Sequence, residues 1–261
     1  MLINGINLYN KTNTPQTTFT SSSREYYDPK LITKSRTWGH IATTTWMFRQ
    51  DLDWENFINF AHKNFINHKY VNTCSLACSD GSEAYSFIIS ALEKLPKGAS
   101  RKFIPITAID RDMEIIKSAR QGKINLSIGD IARINTVTGF HHNKYFINKQ
   151  PALQVNNDKF LEQCNAYEVS PELRNKVIFK QGNLLKHLAN LKDIGNSIVF
   201  CRNVTPYLSI DNIFDLANIA GRVLKKGSLI VFGEFDKHSG ILDFIDIKGF
   251  KECMEYVFRK V

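Results

Sequence analysis

The stretch V-N-T-C-S-L-A-C-S-D-G-S-E-A-Y-S, from Val71 to Ser86, decides how the rest of the chain is read. Val71, Cys74, Leu76 and Ala77 are the apolar part of a short strand, and Ser79-Asp80-Gly81-Ser82 breaks it. From Glu83 onward, Ala84, Phe87, Ile88, Ala91, Leu92 and Leu95 recur at spacings of three and four, the period of a helix with one buried face. Strand, glycine turn and helix in that order make the phosphate- or nucleoside-binding corner of an α/β sheet.

The corner carries one glycine, where a dinucleotide fingerprint has three so that backbone can approach a pyrophosphate. Two residues after Gly81 stands an acid, Glu83. A carboxylate at a helix N-terminus repels a phosphate but suits an ammonium group. S-adenosylmethionine has an ammonium on its methionyl end and no phosphate. The other reading is that Ser82 and Glu83 only cap the helix, and the stretch by itself leaves both open.

Composition sets outer bounds. The chain has 261 residues, 43% of them hydrophobic and 23% charged, which suits one large α/β domain with a small appendage. No apolar run approaches the roughly 20 residues of a membrane helix. The start, M-L-I-N-G-I-N-L-Y-N, has neither a basic region nor a long apolar one, so no signal peptide is expected. Five cysteines, at 74, 78, 164, 201 and 253, make no metal-type pair of pairs. They read as reduced thiols of a cytoplasmic protein, and no metal is expected. The net charge of +9 is spread along the chain and favours acidic partners, although most of it reads as a solvated surface.

In chain order, residues 1–23 are polar and read as a disordered arm. Residues 24–70 read as a short helical segment. Within it, the threonine run before Trp46 looks like a helix cap, and Asp53 caps a helix with Trp54, Phe57, Ile58, Ala61 and Phe65 on one face. The catalytic unit is placed at 71–261. A second strand, Phe103 to Ile109, ends in Asp110, the position at which nucleoside-binding sheets hold ribose hydroxyls, and Asp112 caps the next helix. Residues 123–170 are irregular, with strands suggested at Tyr145-Phe146, Leu153 and Tyr167–Val169. Further strands are Val177–Phe179, leading to Asn183, Ser197–Cys201, leading to Arg202-Asn203, and Ser228–Phe232. Ser209 opens a helix between the last two. The tail offers Leu242–Ile247 and Met254–Phe258 as a terminal hairpin. Ligands of such sheets bind at the carboxyl ends of the strands, where Glu83, Asp110, Asn183 and Arg202-Asn203 all fall.

The series A-C-S-D-G-S-E-A-Y-S, T-A-I-D, S-A-R-Q-G, Q-G-N-L-L, V-F-C-R-N-V-T-P-Y-L and L-K-K-G-S-L-I-V-F-G resembles the CheR chemotaxis-receptor methyltransferases in order and spacing, from about Thr43 to Gly233. The resemblance implies a Rossmann-like class I methyltransferase: a mostly parallel seven-stranded sheet with an antiparallel C-terminal hairpin, and a small β-subdomain inserted at about 140–180. It implies methyl transfer from S-adenosylmethionine to glutamate side chains of an acidic protein, such as the cytoplasmic helix of a chemotaxis receptor. Carried over by position, the cofactor contacts are Thr43, Thr45, Arg49, Glu83, Asp110, Asn183, Leu184, Arg202 and Asn203, and the catalytic residues are Arg49 and Tyr207. The family usually has asparagine where this chain has Thr43, and G-E-E where this chain has Gly81-Ser82-Glu83. It also usually carries a helical N-terminal domain that helps dock receptors, whereas about forty residues precede the Thr43 segment here.

The chemistry is consistent with the residues. A glutamate carboxylate is ionised at neutral pH, so no general base is needed. What is needed is a cation to orient it, the role of Arg49, and exclusion of water. Three other functions compete. A nucleic-acid methyltransferase is disfavoured because N-V-T-P-Y is one residue longer than the Asn/Asp-Pro-Pro-aromatic motif of base-flipping enzymes. A small-molecule carboxyl methyltransferase and a regulatory module that binds cofactor without turnover are the others.

Overall fold

The computed structural model describes residues 45–150 and 164–261. The apolar stretch after Val71 forms the central strand, β1 (Asn72–Leu76), buried at every position. A strand buried on both faces needs neighbours at both edges and covering layers above and below. β2 (Ile106–Asp110) and β7 (Ser197–Phe200) flank it, both parallel. β6 (Val177–Gln181) extends the sheet beyond β2, and β8 (Leu229–Val231) extends it beyond β7, again in parallel. The antiparallel pair β9 (Phe250–Met254) and β10 (Val257–Lys260) completes the order β6-β2-β1-β7-β8-β10-β9. The strand order reverses between β1 and β7, and the crevice at their carboxyl ends is where such sheets take ligands.

Helices cover both faces. On one side α1 (Trp54–Asn64), capped by Asp53 accepting from the Asn56 N–H, packs with α2 (Ser82–Lys94). Their aromatics meet the sheet edge-to-face, with Phe87 and Phe57 ring centroids 5.3 and 5.6 Å from Phe200. α3 (Met113–Arg120), capped by Asp112, joins this layer through Ile116 and Ala119. On the other side lie α6 (Leu184–Ala189), α7 (Ile210–Val223) and α8 (Ile241–Ile247), packed against Val199, Ile230 and Phe232. A second sheet, ordered β3-β5-β4, joins β3 (Lys123–Ser127), β5 (Cys164–Val169) and β4 (Phe146–Gln150) in antiparallel fashion. α4 (Ile128–Thr138) follows β3, and the single turn α5 (Pro171–Arg174) leads back to β6.

The departures from expectation have local causes. The small sheet begins at Lys123, because K-I-N-L-S buries only Ile124 and Leu126 on its alternating face, a signal too short to stand out. Its last strand ends at Val169, and Val177–Gln181 belongs to the main sheet, so the small sheet starts and ends earlier than the expected 140–180, with two of its three strands inside that span. Thr45 caps no helix. Residues 45–52 are a turn-rich strap in which Phe48 takes a positive φ of 50° and Met47, Phe48 and Leu52 are buried. Phe103 ends a 3-10 turn, Ala99–Phe103, ahead of β2. Ile241–Ile247 is helical, not extended, burying Ile241 and Ile245 four residues apart. The hairpin therefore falls later, with Tyr256 at φ 61° in its turn, inside the span expected to be its second strand. Residues 1–44 and Leu153 lie outside the described residues, and with them the expected arm, residues 24–44 of the 24–70 segment and Thr43.

Candidate active site

The strap at 45–52 is tied down by side chains of two helices. The Met47 N–H donates to Asp130 Oδ1 of α4 at 2.8 Å, and Arg133 Nε donates to the Met47 carbonyl at 2.8 Å. The Phe48 N–H donates to Ser86 Oγ of α2 at 2.8 Å. These bonds set Arg49 at the rim of the main sheet. Its guanidinium carbon lies 4.0 Å from the Trp46 ring centroid and 5.5 Å from that of Phe235, and the residue is 9% exposed. Burial lowers its pKa, with Arg202 adding to the effect and Asp51 and Glu83 opposing it.

Arg202, just past β7, is the centre of an ionic cluster. Its Nη2 pairs with Asp51 Oδ1, and its Nη1 lies 3.6 Å from Glu83 Oε2. The guanidinium carbon sits 5.2 Å from the Trp54 ring, and Trp54 Nε1 in turn donates to the Arg49 carbonyl at 3.1 Å. Glu83, in the first turn of α2, accepts from Ser75 Oγ of β1 at 2.6 Å. Burial pushes its carboxyl above the usual range, against the pull of Arg202 and Ser75. Asp51 goes the other way. Burial would raise it, but Arg202, the Glu234 N–H at 2.9 Å and Asn203 Nδ2 at 3.3 Å together hold it below the ordinary carboxylate value.

Neither Ser82 nor Glu83 caps α2. The N-cap is Gly81 at φ 92°, and Asp80 Oδ1 accepts from the Ser82 N–H and hydroxyl at 2.9 and 2.7 Å. A β-carbon at Gly81 would stand 2.7 Å from the Phe179 ring, so both conformation and space call for glycine there. Asn203 adopts φ 57°, and its Oδ1 accepts from the Phe235 N–H at 3.0 Å. Behind it the fully buried Asp236 accepts from the N–H groups of Asn203, Gly233 and Thr205 at 2.6, 2.7 and 3.0 Å, and from the Thr205 hydroxyl at 2.7 Å. That carboxylate fastens the loop after β8 to the loop after β7. Tyr207 ends the 3-10 turn Thr205–Tyr207 on the latter loop, half-buried, close enough to Arg49 to act on its charge.

Asp110 is the last residue of β2. Its Oδ2 accepts from the Ser79 N–H at 2.9 Å and its Oδ1 from the Asp112 N–H at 3.0 Å, which links it to the turn after β1. Asn183 caps α6, accepting from the Lys186 N–H at 3.1 Å, and Leu184 opens that helix. Thr45 is half-buried at the start of the strap. Arg49, Glu83, Arg202 and Asn203 thus share one network, Asp110 adjoins it through Ser79, and Asn183 and Leu184 stand at the neighbouring strand end. The sequence reading missed Asp51, Asp236, Ser75, Trp46 and Phe235. Asp51 stood in plain view two residues after Arg49, and G-E-F-D directly after the β8 strand was the available pointer to Asp236.

The family described as CheR methyltransferase, SAM binding domain, matches residues 43–244. This chain belongs to the CheR methyltransferase family. Among curated relatives, it is 24% identical over 216 residues to chemotaxis protein methyltransferase 2 of Vibrio cholerae, covering 81% of this chain and 68% of that protein. It is 26% identical over 205 residues to chemotaxis protein methyltransferase Cher2 of Pseudomonas putida, covering 77% of this chain and 67% of that one. The probable biofilm formation methyltransferase WspC of Pseudomonas aeruginosa is 22% identical over 223 residues, with 84% of this chain and 47% of WspC covered. Like these CheR-type proteins, the chain is an S-adenosylmethionine-dependent methyltransferase by family, and its seven-stranded order is that of the Rossmann-like methyltransferase sheet.

The site fits that cofactor on its own terms. Among the described residues, Arg202 Nε is buried and makes no hydrogen bond, an orphaned donor that a carboxylate would satisfy. The buried Glu83 beside it suits an ammonium group. An amino acid end group brings both charges together. Among the described residues no helix is long and apolar enough to cross a membrane, and no group of three or more His, Cys, Asp or Glu is arranged to hold a metal ion.

Proposed function

We propose that this CheR-type chain O-methylates glutamate side-chain carboxylates of an acidic protein in the cytoplasm, a chemotaxis receptor helix or a substrate of the same kind. Bound S-adenosylmethionine supplies an electrophilic methyl group. The chain's residues do the rest. Glu83 receives the methionyl ammonium, and Arg202 offers its unpartnered Nε to the methionyl carboxylate. Asp110 accepts from the ribose hydroxyls, with Asn183 and Leu184 on the adenine side and Thr43, Thr45 and Asn203 completing the contacts. Arg49 orients the acceptor carboxylate, and Tyr207 lines the approach.

The observation that carries this reading is Arg49 itself. It is a nearly buried cation stacked on Trp46 at 4.0 Å, at the rim where Glu83 and Arg202 meet. Arginine stays protonated when buried, and its planar fork matches a carboxylate. An amine acceptor would be repelled there. The names of the curated relatives favour a chemotaxis-type protein acceptor. The basic surface, net +9, suits an acidic partner.

The test uses a methyl donor carrying tritium in its methyl group, with bacterial membranes rich in receptor cytoplasmic helices as acceptor. A carboxyl methyl ester releases volatile labelled methanol in mild alkali. Label that survives alkali on the protein would point to nitrogen methylation and overturn the proposal.

A further inference from the structure

Arg202 is one cation placed between two acids, and it is shared unequally. Its Nη2 is in direct contact with Asp51, whereas its Nη1 stops 3.6 Å from Glu83 Oε2, beyond ordinary hydrogen-bond length. Asp51 is held in place by more than Arg202. Its second oxygen accepts from the Glu234 N–H at 2.9 Å and from Asn203 Nδ2 at 3.3 Å, and its side chain is 7% exposed. Glu83 is held by Ser75 Oγ on Oε1, and its Oε2 faces Arg202 across the longer gap.

We infer that Asp51 is a positioning residue that draws Arg202 away from Glu83 and so keeps the Glu83 carboxylate available to the ligand's ammonium group. The inference rests on the reading of Glu83 given above. Without a charge at 51, the buried guanidinium would keep Glu83 as the nearest acid in the cluster, and a buried cation does not stay unpaired when an acid is within reach. Closing the 3.6 Å gap would commit Glu83 to Arg202. The ammonium subsite would then be lost while the nucleoside subsite, built on Asp110 and the end of β6, stayed intact.

Two ligands separate these subsites. S-adenosylhomocysteine has the amino acid end, whereas 5′-methylthioadenosine has the same nucleoside and thioether without it. Calorimetric titration of the wild-type chain with both tests the underlying reading, because equal affinities would mean that Glu83 binds no ammonium. The same titrations on Asp51→Asn test the inference. Affinity for S-adenosylhomocysteine is expected to fall about tenfold or more, the effect of losing one charge-assisted contact, with 5′-methylthioadenosine unchanged. Unchanged binding of both ligands, or an equal loss for both, would overturn it. Asp51→Glu keeps the charge and should retain most of the preference for the amino acid end. If Asp51→Asn does not fold, that variant decides the matter: a preference lost despite the retained charge refutes the inference.

Discussion

The side chain of Asn203 occupies the space that a β-carbon on Gly233 would need: such an atom would stand 2.2 Å from Asn203 Nδ2. The Asn203 main chain cannot yield, because its N–H is bound to Asp236 at 2.6 Å. Gly233→Ala must therefore turn the Asn203 side chain away from the Phe235 N–H and from Asp51. We expect a stability loss of about 1–3 kcal/mol, as for other overpacked sites, together with weaker binding of S-adenosylhomocysteine. Urea denaturation and calorimetry read the two effects, and a variant indistinguishable from wild type in both would show that the Asn203 contacts do not matter.

Asp110 already accepts two backbone N–H groups, one on each oxygen. A carboxylate oxygen has a second lone pair, so each can also accept from a ribose hydroxyl. Asp110→Ala is expected to weaken 5′-methylthioadenosine binding about 10- to 100-fold, the range for charge-assisted hydrogen bonds. Undiminished affinity would leave Asp110 a turn residue only.

Arg49 lies against an aromatic face, and a lysine there keeps the charge but not the plane. For Arg49→Lys, steady-state methylation should show kcat reduced about 100-fold, comparable to losing one aligned transition-state donor, with a much smaller change in S-adenosylhomocysteine affinity. A change confined to cofactor affinity would remove Arg49 from the acceptor side.

Asp80 gives the fold a pH dependence. Burial pushes its carboxyl up to about 6, with the Ser82 hydrogen bonds opposing the shift. In the unfolded chain the same group titrates near 3.9. Below that value both states hold the proton. As pH rises toward 6, the unfolded chain ionises first, so stability declines across that window and is flat above it. Asp80→Asn can still accept from Ser82 and should abolish the decline. It should be more stable than wild type at pH 7 by about 1 kcal/mol, a figure reduced because Asp80 keeps some contact with water. Urea titrations at pH 4, 5, 6 and 7 check the slope, and parallel curves for the two chains would contradict it.

How much was legible in the sequence follows from where each signal lies. Asp110 and Arg202-Asn203 were readable because they stand at or just past the ends of apolar strands, and Glu83 because it opens the helix after the glycine turn that follows one; strand ends in a parallel sheet point to one rim. The helices capped by Asp53, Asp112 and Ser209 announced themselves by cap and period together. The I-L-D-F-I-D-I of α8 fits either period over so short a run, so only the tertiary packing of Ile241 and Ile245 decides it. Asp51 was hidden for a different reason. Next to Arg49 it looks like any solvated acid, and what makes it special is a partner 151 positions away. Asp236 is a similar case, since its four donors come from two loops that no local pattern joins.

The strap carries a consequence for how the molecule comes into being. Its anchors are far off along the chain: Ser86 is 38 positions from Phe48, Asp130 is 83 from Met47, Arg202 is 151 from Asp51, and Glu234 is 183 from Asp51. Contacts of such long range form only when the intervening chain has already been brought into place. The ligand crevice is therefore a product of complete folding rather than of any fragment. A nascent chain that has laid down β1, β2 and their helices has the nucleoside corner but not the ionic cluster. That cluster is completed only with the loop that follows β8, whose Glu234 N–H binds Asp51 and whose Phe235 N–H binds Asn203.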